Sequence, residues 1–285
     1  MAETGSRNPG GEPGAEVSQE LITIERDGPV ATLRMNLSGH TKPPYSLRSE
    51  VWDSLYPIFG QLSKERETRV VVLRGARPRF GAGADFHELL EILEEDRKNG
   101  DDRAAQENWA KVNRTHEAIE QCPKPVIAVL ERWALGAAFA LALACDFRIA
   151  EEGTLVGVPA PSKGLTLGIV DAQRLVSLVG KGRAKEVLML GKMYDAKEAL
   201  DLGLVTSVAP KGKVDETLKG MTDILLGNAP LAVAEAKKNV ELASKNPGLS
   251  GITPTSERIL WANSYDLDEG INAFLERRDP KFEGR

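Results

Sequence analysis

Residues 124–150 read KPVIAVLERWALGAAFALALACDFRIA. Pro125–Leu130 is an almost unbroken apolar run, which suits a strand buried on both faces. Leu135–Ala144 is rich in alanine and predicts a helix, and Phe147–Ala150 predicts the next strand. Between the first strand and the helix, Trp133-Ala134-Leu135-Gly136-Ala137-Ala138-Phe139-Ala140 places small residues where the chain reverses. Strand, turn, helix and strand in succession form the repeating unit of a parallel α/β fold.

The pattern recurs upstream. Val70–Leu73 is a second buried run, and it leads through Arg77-Pro78-Arg79-Phe80-Gly81-Ala82-Gly83-Ala84-Asp85-Phe86 into a charged helical segment. That segment spans about 86–121, and Gly100 is expected to break it. Earlier still, Leu21–Arg26 and Val30–Met35 alternate and meet at Asp27-Gly28, a hairpin signal. Residues 36–46 (NLSGHTKPPYS) form a loop that Pro43 and Pro44 bar from helix. Leu47–Lys64 repeats apolar positions at helical spacing. Downstream, Thr154–Val158 predicts a fourth strand. Helical patterns follow at 172–180, 183–191, 195–202, 214–226, 229–245 and from Thr255 to Phe274, before a charged run at 276–285. The expectation is an α/β core over 19–210 and a helical region over 211–285. Residues 1–18, rich in Gly, Pro, Glu and Ser, have little to bury and are expected to be a disordered tail.

Composition narrows the function. The 285 residues are 41% hydrophobic, enough for a sizeable core. Lys and Arg number 37 against 42 Asp and Glu, a net charge of -5, which argues against a nucleic-acid binder relying on a basic field. No apolar run approaches the roughly 18 residues of a membrane span. The N-terminus lacks the basic flank and apolar stretch of a secretory signal. Cys122 and Cys145 are the only cysteines, too few for a disulfide framework. A soluble, cytoplasmic protein is expected, with neither nucleic acid nor membrane as partner.

Both glycine-containing turns open a helix, where backbone N–H groups lack intrahelical partners and the dipole favours negative charge. Two such termini converging form a hole for a carbonyl oxygen becoming anionic. Small residues also serve tight packing alone, and spacing does not choose between the two uses.

FGAGADFHELLE (80–91), residues 124–150 and GTLVGVPAPSKGLTLGIVDAQRLVSLVGKGRAKEVLMLGKMYDAKEALDLGLVTSVAP (153–210) together resemble the crotonase (enoyl-CoA hydratase/isomerase) family. The ending FLERRDPKFEGR (274–285) is similar to the family's usual one. The resemblance implies a ββα spiral core, a helical C-terminal trimerisation region and assembly as trimers or dimers of trimers. It implies an acyl-CoA thioester as ligand, with coenzyme A as part of the substrate, no prosthetic group and no metal. It puts the oxyanion hole on the N–H groups of Ala84 and Ala137. Ala82, Asp85 and Phe86 then line the adenine and pantetheine groove, Gly83 and Gly136 bind the substrate, and His40 and Tyr45 lie in a loop near the acyl-CoA. Arg277, Arg278, Lys281 and Phe282 match positions that approach the CoA phosphates or adenine, or else form a solvated charged end.

The chain departs from the hydratase pattern where two glutamates usually activate water and deliver the proton. Those positions hold Ala140 and Ala160, and a later carboxylate position used by other members holds Gly168. Alanine neither accepts nor donates a proton. Asp171 is a candidate acid or base, or alternatively a helix cap, and His87 a candidate proton shuttle. Glu88, Glu91 and Glu131 are further carboxylates within reach of the turns, and His116 reads as structural or exposed. The implied function is enolate stabilisation on an acyl-CoA. Isomerisation, decarboxylation or C–C cleavage is favoured over hydration, and the alternative is a catalytically silent acyl-CoA-binding scaffold.

Overall fold

The computed structural model describes residues 20–37, 45–76, 78–245 and 262–285. The expected tail, His40 and most of the 36–46 loop lie outside them, as does the start of the helix expected from Thr255.

The hairpin forms as the sequence indicates. Strands β1 (Ile22–Asp27) and β2 (Val30–Met35) pair antiparallel, with Asp27 opposite Val30. Gly28, at φ 53, takes the positive angle that such a two-residue turn requires. A two-residue strand β3 (Ser46–Leu47) precedes helix α1 (Ser49–Leu62), so the helix starts two residues later than its apolar spacing suggests.

From there the chain spirals. Each turn lays one strand in a large sheet and one short strand in a second layer, then returns by helix. The first turn is β4 (Val70–Gly75), β5 (Gly83–Ala84), then α2 (Phe86–Asn99) and α3 (Arg103–Gln121). The second is β6 (Val126–Leu130), β7 (Trp133–Leu135) and α4 (Ala137–Leu143). The third is β8 (Phe147–Glu151), β9 (Leu155–Gly157), a 3-10 turn (Pro161–Lys163) and α5 (Ile169–Leu190). Then come β10 (Met193–Asp195), α6 (Ala196–Asp201), β11 (Ser207–Ala209), α7 (Val214–Leu226), α8 (Pro230–Lys245) and α9 (Tyr265–Glu276).

The large sheet has the order β1-β2-β4-β6-β8-β11, parallel from β2 onward. Burial on both faces explains why β4 and β6 do not alternate. Val71 and Leu73 face the main core, whereas Val70 and Val72, with Ile127, Val129 and Ile149, face a second cluster covered by α7. The α/β ββα spiral expected from the resemblance is the architecture found.

Two expectations are corrected and one is met. The helix expected over Leu135–Ala144 begins only at Ala137, because Trp133–Leu135 pairs with β9 as a strand and Gly136 (φ 54, ψ -122) breaks the path. The helices expected at 172–180 and 183–191 are the two arms of α5, which part at Gly180, non-helical at φ 75 and ψ 163. At 195–202, Asp195 ends a strand and caps α6, its carboxylate and that of Glu198 exchanging bonds with each other's backbone N–H. The break at Gly100 (φ 72) is where expected, and Asp96 secures it by accepting from the N–H groups of Ala104 and Ala105.

Candidate active site

The two glycine turns meet. Residues 81–85 run between the segments 45–47 and 133–135. On one side Ala82 N–H donates to the Tyr45 carbonyl and Asp85 N–H to that of Leu47. On the other, Gly81 N–H donates to the Trp133 carbonyl and Leu135 N–H to that of Gly81. Gly83 sits at φ 105, and a Cβ there would lie 3.0 Å from the Leu135 carbonyl oxygen and 3.8 Å from Ala137 N. Only glycine allows both that angle and that approach. The first turn of α4 leaves the Ala137 N–H without an intrahelical acceptor. Ala82 and Ala84 are exposed, with Gly83 and Asp85 buried between them. Ala84 and Ala137 are therefore carried on adjoining backbone segments beside an open face.

The positions without carboxylates have distinct surroundings. Ala140 is 1% exposed within α4, and Ala160 packs against the core at the start of the 3-10 turn. Gly168 precedes α5, and a Cβ on it would touch the Trp109 ring at 4.0 Å. Trp109, half-exposed on α3, carries no signal in the sequence that marks it as a neighbour of this edge.

The nearby acids hold structure. Asp85 caps α2, accepting from the N–H groups of His87 (2.9 Å) and Glu88 (3.3 Å), and also from Ser46 Oγ (3.3 Å). Its side chain is thus turned inward and buried, whereas Phe86 is exposed. Both Glu88 oxygens lie 3.1 Å from Ser49 N–H at the start of α1. Glu131 pairs with Arg74 at 2.8 Å. Glu91 is exposed, as is the side chain of His87.

Asp171 lies in the first turn of α5, and Gly168, not Asp171, occupies the cap position. Its carboxylate is buried and accepts from His116 Nδ1 (3.1 Å) and Arg174 Nη1 (2.8 Å). Because the carboxylate only accepts, His116 Nδ1 carries its proton, and the Arg174–His116 approach at 3.5 Å sets two donors side by side. Burial pushes the Asp171 carboxyl up, but the His116 hydrogen bond and the charges of His116 and Arg174 outweigh it and hold the group below its usual range. Arg174 also binds Glu120 at 2.5 Å, and Lys245 reaches the same carboxylate at 2.9 Å. Burial pushes the Glu120 carboxyl up, but hydrogen bonds from Arg174 and Lys245 and their charges outweigh it and hold the group low. His116 is fully buried and meets Trp52 edge-on, a structural placement.

The C-terminal residues fold back on α9. Arg278 grips Glu269 with two bonds (2.6 and 2.8 Å), and Lys281 N–H donates to the same carboxylate, which drops to about 2. Phe282 lies against Gly270, and the Lys281 side chain points to solvent. A cavity of about 490 Å³ lies at the other end of α4, walled by α5 and α8. Cys145 lines it, and burial pushes its thiol up to about 12, so it is no nucleophile. Among the described residues no helix is long and apolar enough to cross a membrane.

Residues 30–285 match the family described as Enoyl-CoA hydratase/isomerase. A probable enoyl-CoA hydratase of Bacillus subtilis is 33% identical over 268 residues, covering 92% of this chain and 98% of its own. An enoyl-CoA isomerase/hydratase, fer4, of Mycosarcoma maydis is 35% identical over 251 residues, 84% of this chain and 87% of its own. A crystal structure of an enoyl-CoA hydratase/carnithine racemase from Magnetospirillum magneticum superposes with TM-score 0.83 at 25% identity, over 94% of this chain and 97% of that one. Spiral fold, adjoining glycine turns and near-full-length matches agree: the chain belongs to the enoyl-CoA hydratase/isomerase (crotonase) family.

Proposed function

We propose that the chain processes acyl-CoA thioesters by stabilising an enolate between the N–H groups of Ala84 and Ala137. The approach of Gly83 to Leu135 and Ala137 carries this reading. A thioester oxygen held there gains most as it becomes anionic, and loss of one such donor typically costs about 2.7–4 kcal/mol. Coenzyme A enters as part of the substrate, with no prosthetic group.

We infer further that hydration is not the main reaction. The family's two glutamate positions hold Ala140 and Ala160, and Asp171 and Glu120 are bound to Arg174. Decarboxylation of a 2-carboxyacyl thioester forms the enolate as the C–C bond to CO2 breaks, with no base required. Isomerisation or C–C cleavage is the next choice, drawing on one acid or base such as His87. Crotonyl-CoA hydration by the purified protein should be undetectable or slow, with turnover in a panel of 2-carboxyacyl-, 3-enoyl- and 3-hydroxyacyl-CoA substrates. Hydration at ordinary hydratase rates, on the order of the median enzyme's 10 s⁻¹ or above, overturns the preference. Binding without product across the panel favours a silent scaffold.

We also propose that the helical region from 211 onward assembles with other copies as a trimer or a dimer of trimers. Its support is a set of exposed apolar side chains, among them Ile224 (69%), Val240 (67%), Phe274 (82%) and Leu275 (70%), more than scattered surface residues explain. Light scattering should give three or six copies, and Phe274→Asp with Leu275→Asp should reduce that number. A monomeric parent protein overturns the assembly.

A further inference from the structure

We propose that Arg79 is a positioning residue that holds the oxyanion turn in place by clamping the segments at Tyr45 and Trp133 on either side of it. The inference rests on the enolate-stabilising reading above and adds a residue to it.

The Arg79 guanidinium lies 4.6 Å from the Tyr45 ring centroid and 5.2 Å from that of Trp133. Its Nη1 donates to Tyr45 Oη at 2.6 Å. The two rings meet edge-on, 6.5 Å apart at 80°. Both rings hang from backbone that grips the turn: the Tyr45 carbonyl accepts from Ala82 N–H, and the Trp133 carbonyl from Gly81 N–H. Arg79 therefore ties one flank of the turn to the other through its own side chain.

Three features say that the rings are what hold it. Among the described residues Arg79 forms no ion pair, so its charge rests on the π faces. Among the described residues, Arg79 Nε and Trp133 Nε1 are buried without acceptors, a cost that a cluster built for hydrogen bonding would avoid. Tyr45 keeps a left-handed φ of 71, a conformation that a bulky residue holds only where its surroundings impose it.

The clamp matters because the backbone junction between the turn and β7 is short, with Gly81 N–H donating to the Trp133 carbonyl and Leu135 N–H to that of Gly81. Gly81 and Ala134 form an isolated bridge, not a ladder. Ala84 follows the turn and Ala137 follows β7, so slack at this junction shifts one donor against the other. Loosening of about 1 Å is enough to cost on the order of 100-fold in a reacting geometry.

The test compares two CoA thioethers by calorimetry. S-(2-nitropropyl)-CoA presents, as its nitronate, enolate-like anionic oxygens, and S-propyl-CoA presents none. R79A should weaken nitronate binding about tenfold or more and leave S-propyl-CoA within about twofold, with R79K recovering much of the loss. Unchanged nitronate binding, equal weakening of both ligands, or R79K no better than R79A overturns the proposal. R79M, which keeps the packed stem, replaces R79A if the alanine variant does not fold. If the parent protein itself fails to prefer the nitronate, the oxyanion reading falls. Amide hydrogen exchange over 81–85 and 134–138 then judges the clamp: faster exchange in R79A supports it and unchanged exchange overturns it.

Discussion

Replacing Ala137 by proline should lower turnover about 10²–10³-fold, the usual effect of deleting one oxyanion donor, with the fold left standing. Ala137 is the first residue of α4. That position has no intrahelical acceptor for its N–H, and proline's fixed φ suits it. The residue before a proline avoids the α region, and Gly136, at φ 54 and ψ -122, already lies outside it. The substitution thus removes one donor hydrogen from the proposed hole at little structural cost. The melting temperature should stay within a few degrees and affinity for S-propyl-CoA within about threefold. Ala137→Ser retains the N–H and should keep most activity. Near-parental turnover by Ala137→Pro, in a folded protein, would show that this N–H does not hold the developing charge.

The parts of this molecule legible in its sequence are those whose cause is local. Val70–Leu73 and Pro125–Leu130 read as buried strands because each is apolar on both faces, and β4 and β6 lie between two hydrophobic clusters. The turns at Gly83 and Gly136 were visible because backbone approaching backbone demands small residues. What escaped depends on distant partners. β7 is three residues long and exists through its pairing with β9, so its residues merged with the following alanine run. Likewise, no local pattern marks which acids are committed. Glu88 meets Ser49 39 positions away, Glu131 meets Arg74 57 away, and Asp171 meets His116 55 away. Arg79 belongs to its turn in the sequence, but its role depends on two aromatic rings brought from elsewhere, Tyr45 ahead of β3 and Trp133 in β7.

Those committed acids underlie the largest expected change in stability. Trp109 meets the Gly168 position, His116 meets Asp171, and Glu120 meets Arg174, so successive turns of α3 are fastened to successive turns of α5. The side chains of Asp171, Glu120 and Arg174 are only 3%, 5% and 7% exposed. Arg174→Met strands two buried carboxylates, leaving His116 alone to one and Lys245 to the other. Breaking such a pair from one side costs about 3–5 kcal/mol, read as a lower urea midpoint at pH 7. The pH dependence has a definite sign. In the parent protein both carboxyls are depressed, so their contribution is complete above the unfolded values of about 4 and fades as pH falls through the folded ones. In the variant burial acts with less opposition, and protonation relieves it. The gap between the two proteins should therefore narrow from pH 7 to pH 4, and a constant gap would mean that Arg174 acts by packing alone. Removing the charges together, as Glu120→Gln/Arg174→Met/Asp171→Asn, should cost less than Arg174→Met by itself, because no stranded ion remains. If that triple variant regains stability but not turnover, the ion pairs serve to hold α3 against α5 in the position that turnover needs.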